Sequence, residues 1–275
     1  MGVDVQRLRW GSGSHPGRVR AVNEDALIAG PRVFAVADGM GGHAAGEIAS
    51  SVIISAVADA ADRGTIDERA LRAALREGQA RMRKTVQRRP ESAGMGCTLA
   101  GISWCDGPEM DTVLVFHIGD ARVYRLGGGR LMACTRDHSV VQERIDAGTL
   151  TAEAARRDAD RHLVTRAITP ESAVEPEIRQ EHAHVGDRWL VCSDGLSDAV
   201  AAPAIEQLLQ AAPDAAAASS ALVEAALDAG APDNVSAIVV EVTGATTGSA
   251  SPVPGCGLNE DPAVTLPPSQ RRSSR

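Results

Sequence analysis

Asp38, Asp120 and Asp194 each stand just after an apolar run that reads as a strand, and Asp233 sits in the turn that opens another. A carboxylate at the buried end of a strand is costly unless something pairs with it. Two carboxylates 4 Å apart repel by roughly 4 kcal/mol at an effective dielectric near 20. If the four converge, divalent cations must offset that repulsion, and an all-oxygen donor set selects Mg²⁺ or Mn²⁺ over zinc. In the stretch Val33-Phe-Ala-Val-Ala-Asp38-Gly39-Met-Gly-Gly-His43 the glycines let a main-chain carbonyl approach the same cation, so Asp38 and Gly39 read as a side-chain oxygen and a main-chain oxygen on one site. Two such ions about 3.5–4 Å apart would acidify a bridging water and clamp a phosphoryl group for in-line attack. Arg20 is placed to hold phosphoryl oxygens in a bidentate contact. Glu24 and Asp25, shortly after it, could reach water on the ions. No serine, cysteine or histidine nucleophile is needed.

The same glycines fit a second pattern. Gly39-Met-Gly41-Gly-His-Ala44, after a strand and before a helix, matches the dinucleotide fingerprint, which would make the protein a nucleotide-dependent oxidoreductase. Two features oppose it. Asp38 would face a pyrophosphate, like charge against like. The helix that follows leads into a second helix over 66–88, so no βαβ unit closes.

The elements that must position these residues follow from apolar periodicity. Strands are expected at 5–10, 97–104, 112–118, 122–126, 130–134, 178–184, 188–193 and 235–242, beside the run ending at Asp38. Helices are expected at 47–61, 67–88, 204–210 and 215–229. Residues 11–17 read as a turn, and Gly127-Gly-Gly129 as a hairpin turn. Residues 154–169 are polar, end before Pro170, and read as a mobile flap over the site. The second helix carries arginines on what reads as a solvated face.

The 275 residues suffice for one large domain with a real core. Aromatic content of 2% leaves nothing for a base-stacking platform, and a net charge of −8 opposes general binding to nucleic acid or to a membrane surface. The cysteines, Cys97, Cys105, Cys134, Cys192 and Cys256, form no Cys-x-x-Cys pair and read as free thiols in a reducing compartment. With no apolar signal core or membrane-length run, a cytoplasmic protein is expected. After Thr243 glycine, serine, threonine and proline dominate, so the domain is expected over 5–243 with a disordered tail over 244–275.

Taken in order, Arg20-x-x-Asn23-Glu24-Asp25, Ala37-Asp38-Gly39-Met-Gly-Gly-His43, Met95-Gly96-x-Thr98, His117-Ile-Gly119-Asp120-x-Arg122, Cys192-Ser-Asp194-Gly195-Leu-Ser-Asp198 and Pro232-Asp233-Asn234 resemble the metal-dependent protein serine/threonine phosphatases, the PPM family or type 2C, in their bacterial form. The resemblance spans nearly all of 5–243. It implies an α+β fold, a four-layer α-β-β-α sandwich of two antiparallel sheets flanked by helices. It implies that Asp38 bridges two metals, that the Gly39 carbonyl binds one, and that Asp194 and Asp233 complete the pair. Asp120, with Asp194, matches a third metal site. Arg20 matches the phosphate-binding arginine, and Asn234 would orient Asp233.

The activity implied is hydrolysis of phosphoserine and phosphothreonine in proteins with Mn²⁺ or Mg²⁺, two or three per chain. The implied partners are phosphorylated proteins and a serine/threonine kinase whose work the enzyme would oppose; a monomer is the default. Met40 stands where eukaryotic members carry a general-acid histidine. Cys97 replaces a usual threonine, His162 a serine that helps hold the third metal in some relatives, and Ile168-Thr169 a more usual Leu-Gly. These departures leave a second class of function open, a pseudo-phosphatase that binds phosphoproteins as a regulator.

Overall fold

The computed structural model describes residues 7–41, 45–105, 112–172 and 175–244, and the backbone of 263–265. In chain order the elements are β1 (Leu8–His15), β2 (Ala26–Ala29), β3 (Val33–Ala37), β4 (Gly39–Met40), α1 (Ala45–Asp62), α2 (Glu68–Arg88), β5 (Gly96–Cys97), β6 (Leu99–Cys105), β7 (Thr112–Ile118), β8 (Arg122–Gly127), β9 (Arg130–Ala133), α3 (Val140–Asp146), α4 (Ala152–Ala155), β10 (Glu177–His182), β11 (Arg188–Cys192), α5 (Asp194–Ala199), α6 (Ala202–Ala211), α7 (Ala215–Asp228), β12 (Val235–Val242) and β13 (Ala263–Thr265).

The strands form two main sheets, ordered β1-β12-β11-β8-β9 and β10-β7-β6-β3-β2-β13, with β4 and β5 as a separate pair. Every pairing is antiparallel. Three apolar clusters make four layers. Phe34, Ile102, Trp104, Val115, Trp189 and Val240 fill the space between the sheets. Ile53, Ile54, Leu71 and Met82 of α1 and α2 cover one outer face. Ile205, Leu209 and Leu222 of α6 and α7 cover the other. The central strands, such as β3 and β12, are apolar on both faces because each sheet is buried on both sides there, whereas the edge strands β9 and β10 are largely exposed. This is the α-β-β-α sandwich expected from the sequence. It also excludes the dinucleotide reading, because β3, α1 and α2 lead into further antiparallel strands.

Three local expectations are corrected. Of the residues read as a turn, 11–17, those up to His15 continue β1 and pair with β12. Their glycines serve packing: a Cβ on Gly11 would stand 2.3 Å from the Ala216 Cα of α7. The strand expected over 97–104 breaks at Thr98, whose N–H donates to Asp38 O at 2.9 Å. The segment after Cys192 turns at once into the short helix α5, with Asp194 as its first residue. Within the tail, Ala263–Thr265 adds an edge strand to β2; the rest of 245–275 lies outside the described residues, as do His43 and Cys256. The other cysteines are free. Among the described residues no helix is long and apolar enough to cross a membrane.

Candidate metal centre

Antiparallel pairing brings the ends of β1, β3, β7 and β11 and the starts of β2, β6, β8 and β12 to one end of the sandwich. The acids expected at strand ends are therefore gathered from both sheets. Asp38 follows β3, Asp120 follows β7, Asp194 follows β11, Asp233 precedes β12 and Asp25 precedes β2.

Their charges act on one another. Burial pushes the Asp38 carboxyl well above the usual carboxylate range, reinforced by Asp25, Asp194 and Asp120. Burial does the same at Asp120, where Asp194 and Asp137 add to it. Burial raises Asp194 to about 6, with Asp198 adding to the rise. Such crowding is costly in the absence of a cation.

Asp25 is buried, and its Oδ2 accepts the Ser193 hydroxyl at 2.8 Å and the Ser236 hydroxyl at 2.7 Å. Its Oδ1 and the Asp194 Oδ1 are buried without a hydrogen-bond partner. Burial raises the Asp25 carboxyl to about 7. Orphaned carboxylate oxygens inside an acid cluster are what a cation would satisfy, and the all-oxygen donors suit Mg²⁺ or Mn²⁺. The residues present fit the metals that the sequence implied.

Glycine makes the close approaches possible. A Cβ on Gly39 would stand 2.3 Å from Gly46 O and 2.6 Å from Glu24 O, so the backbone after Asp38 lies against both the start of α1 and the β2 approach. Ser50 of α1 donates to Glu24 O at 2.6 Å. Glu24 itself is half-buried, and burial raises its carboxyl. Met40 pairs with Gly96 across β4 and β5.

Arg20 and Asp233 meet at the rim, Nη2 to Oδ2 at 2.8 Å. The Asn234 backbone N–H donates to Asp233 Oδ1 at 2.8 Å, and its side chain ties down the loop that carries Arg20. The Asn234 Oδ1 accepts from Glu24 N–H at 2.8 Å, and its Nδ2 donates to Pro16 O at 3.0 Å and Val22 O at 2.9 Å.

On the far side, between α3 and β10, stands the flap expected over 154–169. Its His162 Nδ1 lies 3.5 Å from Asp198 Oδ2, and His162, Asp194 and Asp198 each bring a ligand atom within 4.8 Å of the others. Asp198 was no more than a motif letter in the sequence; α5 delivers it, one helical turn beyond Asp194. The flap ends against the body: Ile168 pairs with Cys97, and Gln79 and Arg83 of α2 donate to Thr169 O at 3.0 Å and Pro170 O at 2.9 Å. Ser193 and Ser236 were missed altogether, since no local pattern links hydroxyls so far from Asp25 in sequence.

An α-β-β-α sandwich thus gathers a buried acid cluster across its shared strand ends, with an arginine at the rim, and this all-oxygen donor set suits divalent cations. The chain belongs to the protein phosphatase 2C family, whose model matches residues 13–229. It is 41% identical over 263 residues to the serine/threonine protein phosphatase PstP of Mycobacterium tuberculosis, covering 94% of this chain and 50% of PstP, so it spans about half the length of that relative. It is 30% identical over 231 residues to the protein phosphatase PhpP of Streptococcus pneumoniae, covering 80% of this chain and 90% of PhpP. The crystal structure of the Mycobacterium tuberculosis serine/threonine phosphatase PstP/Ppp matches 86% of this chain and 100% of its own, with a TM-score of 0.80 at 41% identity. A structure of the PstP catalytic domain in complex with two manganese ions matches 86% of this chain and 99% of its own, with a TM-score of 0.79 and 41% identity.

Proposed function

We propose that this protein is a metal-dependent serine/threonine phosphatase that hydrolyses phosphoserine and phosphothreonine in proteins. The observation that carries the reading is the buried pair of orphaned carboxylate oxygens, on Asp25 and Asp194, inside a cluster that also holds Asp38 and Asp120. The manganese named in the related PstP structure supports Mn²⁺, or Mg²⁺ of like chemistry, as the cation.

In this reading Asp38, the Gly39 carbonyl, Asp194 and Asp233 would hold a pair of cations, and Asp120 with Asp194 would hold a third. Cations bound there would acidify a water and neutralise charge on the phosphoryl group. Arg20 grips two non-bridging phosphoryl oxygens with its planar fork. Asn234 holds the Arg20 loop in place. Glu24, and Asp25 through the Oδ1 left over from its two serine contacts, would reach water on the cations. The intact acid set argues for catalysis over a binding-only regulator. The physiological setting we infer is a monomeric cytoplasmic enzyme that opposes a serine/threonine kinase.

The test is phosphate release from a phosphothreonine peptide with Mn²⁺, with Mg²⁺ and with a chelator. Turnover that needs metal supports the reading. A folded protein with no turnover under either metal would leave phosphoprotein binding as the function.

A further inference from the structure

Outside the acid centre, His117 on β7, His138 after β9 and Glu177 on β10 each bring one possible ligand atom within 4.8 Å of the others. Their hydrogen bonds oppose a metal there. Gly119 N–H donates to His138 Nδ1 at 3.0 Å, so Nδ1 is an acceptor and the ring proton of the neutral imidazole sits on Nε2. Nε2 then donates to Glu177 Oε2 at 3.1 Å and has no lone pair left for a cation. His117 donates its own Nε2–H to Arg136 O at 2.8 Å, and its ring stacks on His138 with centroids 4.5 Å apart. Arg166 Nη1 stands 3.1 Å from His138 Nε2. Two donors lie side by side there, and the neighbouring Glu177 carboxylate makes that tolerable.

The three residues form a junction. On one side His138 holds the turn that carries Asp120: its ring accepts from Gly119 N–H, and its own N–H donates to Gly119 O at 2.9 Å. On the other side it holds the flap: its carbonyl accepts Thr165 N–H at 2.8 Å, and Val140 N–H donates to Leu163 O at 2.9 Å alongside. Those flap residues flank His162, which stands over Asp198.

We propose that the His138 ring is a positioning residue for the reaction, setting the flap, through Glu177 and Arg166, in register with the Gly119-Asp120 turn. The inference rests on Asp120 serving the metal centre proposed above. The two nitrogens have separable duties. Nδ1 fixes the Asp120 turn, and Nε2 fixes the flap.

Two variants separate them. In His138→Asn the amide oxygen falls near the place of Nδ1 and can accept from Gly119 N–H, but nothing reaches Glu177. In His138→Gln the amide nitrogen falls near the place of Nε2 and can donate to Glu177, but Gly119 N–H loses its acceptor. Mn²⁺ binding by calorimetry, and kcat and KM on a phosphothreonine peptide, are measured on both. We expect His138→Gln to weaken the weakest Mn²⁺ binding step by about tenfold or more, with KM near that of wild type. We expect His138→Asn to bind Mn²⁺ normally and raise KM by roughly threefold to tenfold, the net contribution of one ordinary hydrogen bond, here to a solvent-screened carboxylate. Glu177→Gln, at an exposed residue, should shift KM in the same direction with Mn²⁺ binding unchanged. A purely structural histidine would give no such split. Folded Asn and Gln variants that behave alike, both intact or both equally impaired, overturn the proposal while wild type binds Mn²⁺. Wild-type protein that binds no Mn²⁺ overturns the metal-centre reading and this proposal with it.

Discussion

Arg20 Nη2 lies 2.8 Å from Asp233 Oδ2, joining the loop between β1 and β2 to the turn before β12. The Asp233 charge, more than any other, raises the Arg20 pKa. Both side chains are open to water, at 53% and 36% exposure, so the pair contributes little to stability, about 0–1 kcal/mol. Its significance is chemical: a cation on Asp233 would release the guanidinium toward a phosphoryl group.

Arg20→Ala should therefore leave the melting temperature nearly unchanged and lower kcat/KM on a phosphopeptide by about tenfold to a hundredfold. A hydrogen bond to a charged group is worth roughly 1.5–3 kcal/mol. Thermal melts beside steady-state kinetics check this. Full activity in a folded variant would remove Arg20 from the site.

Asn234→Ala should behave in the opposite way, as a stability variant first. Its buried side chain makes three hydrogen bonds, to Glu24 N–H, Pro16 O and Val22 O. Losing them and leaving buried main-chain groups unpaired costs roughly 2–4 kcal/mol, or about 5–15 °C in melting temperature for a domain of this size. Asn234→Asp keeps the acceptor for Glu24 but sets a buried carboxylate oxygen against Pro16 O and Val22 O, so it should cost at least as much at neutral pH. Calorimetric melts in chelator check the order, and a melting temperature unchanged in Asn234→Ala would mean that other contacts hold the loop.

The contrast between Arg20 and Asn234 shows what the sequence makes legible. Strand ends marked by Asp38, Asp120 and Asp194 can be read because an apolar run stops abruptly at a charged or glycine residue, which is a local signal. The sandwich is legible only as what the resemblance of the ordered motifs to a known family implies. Asn234, Ser193 and Ser236 carry no such signal. Asp25, which both serines bond, and Glu24, which Asn234 bonds, lie more than 150 residues away along the chain, as the Ser193 to Asp25 bond does at a separation of 168, and register across two sheets brings them together. The β1 residues 11–15 were hidden for a different reason. Glycine and serine usually mark turns, and here they let α7 press on a strand. Helix α5 is too short to show a period, which is why Asp198 went unassigned.

Asp38→Asn separates function from stability. In the metal-free protein the Asp38 carboxyl is buried among like charges and held well above the usual range, so its replacement by a neutral amide should leave the melting temperature in chelator unchanged or higher. Wild type should gain from Mn²⁺: at a hundred times the dissociation constant, binding adds about 2.7 kcal/mol, roughly 5–10 °C. The variant should lose most of that gain together with its turnover. Melts with and without Mn²⁺ check both halves, and a full Mn²⁺ shift in the variant would show that Asp38 is not shared by the cations.

The acid centre should also make metal binding depend on pH. Burial raises Asp194 to about 6 and Asp25 to about 7, above the values of the same groups in the unfolded chain. The folded metal-free protein thus holds protons there more tightly than the unfolded chain does. That contribution to stability is present at low pH and is lost as pH rises through about 6 to 7. A cation takes the place of those protons, so Mn²⁺ binding should release protons and tighten over the same window. The Mn²⁺-induced rise in melting temperature should be larger at about pH 7.5 than at about pH 5.5. Calorimetry at about pH 6, in two buffers that differ in ionisation enthalpy, counts the protons released. A count of zero would mean that the cluster already stands fully ionised without metal, with its repulsion relieved by something other than protons.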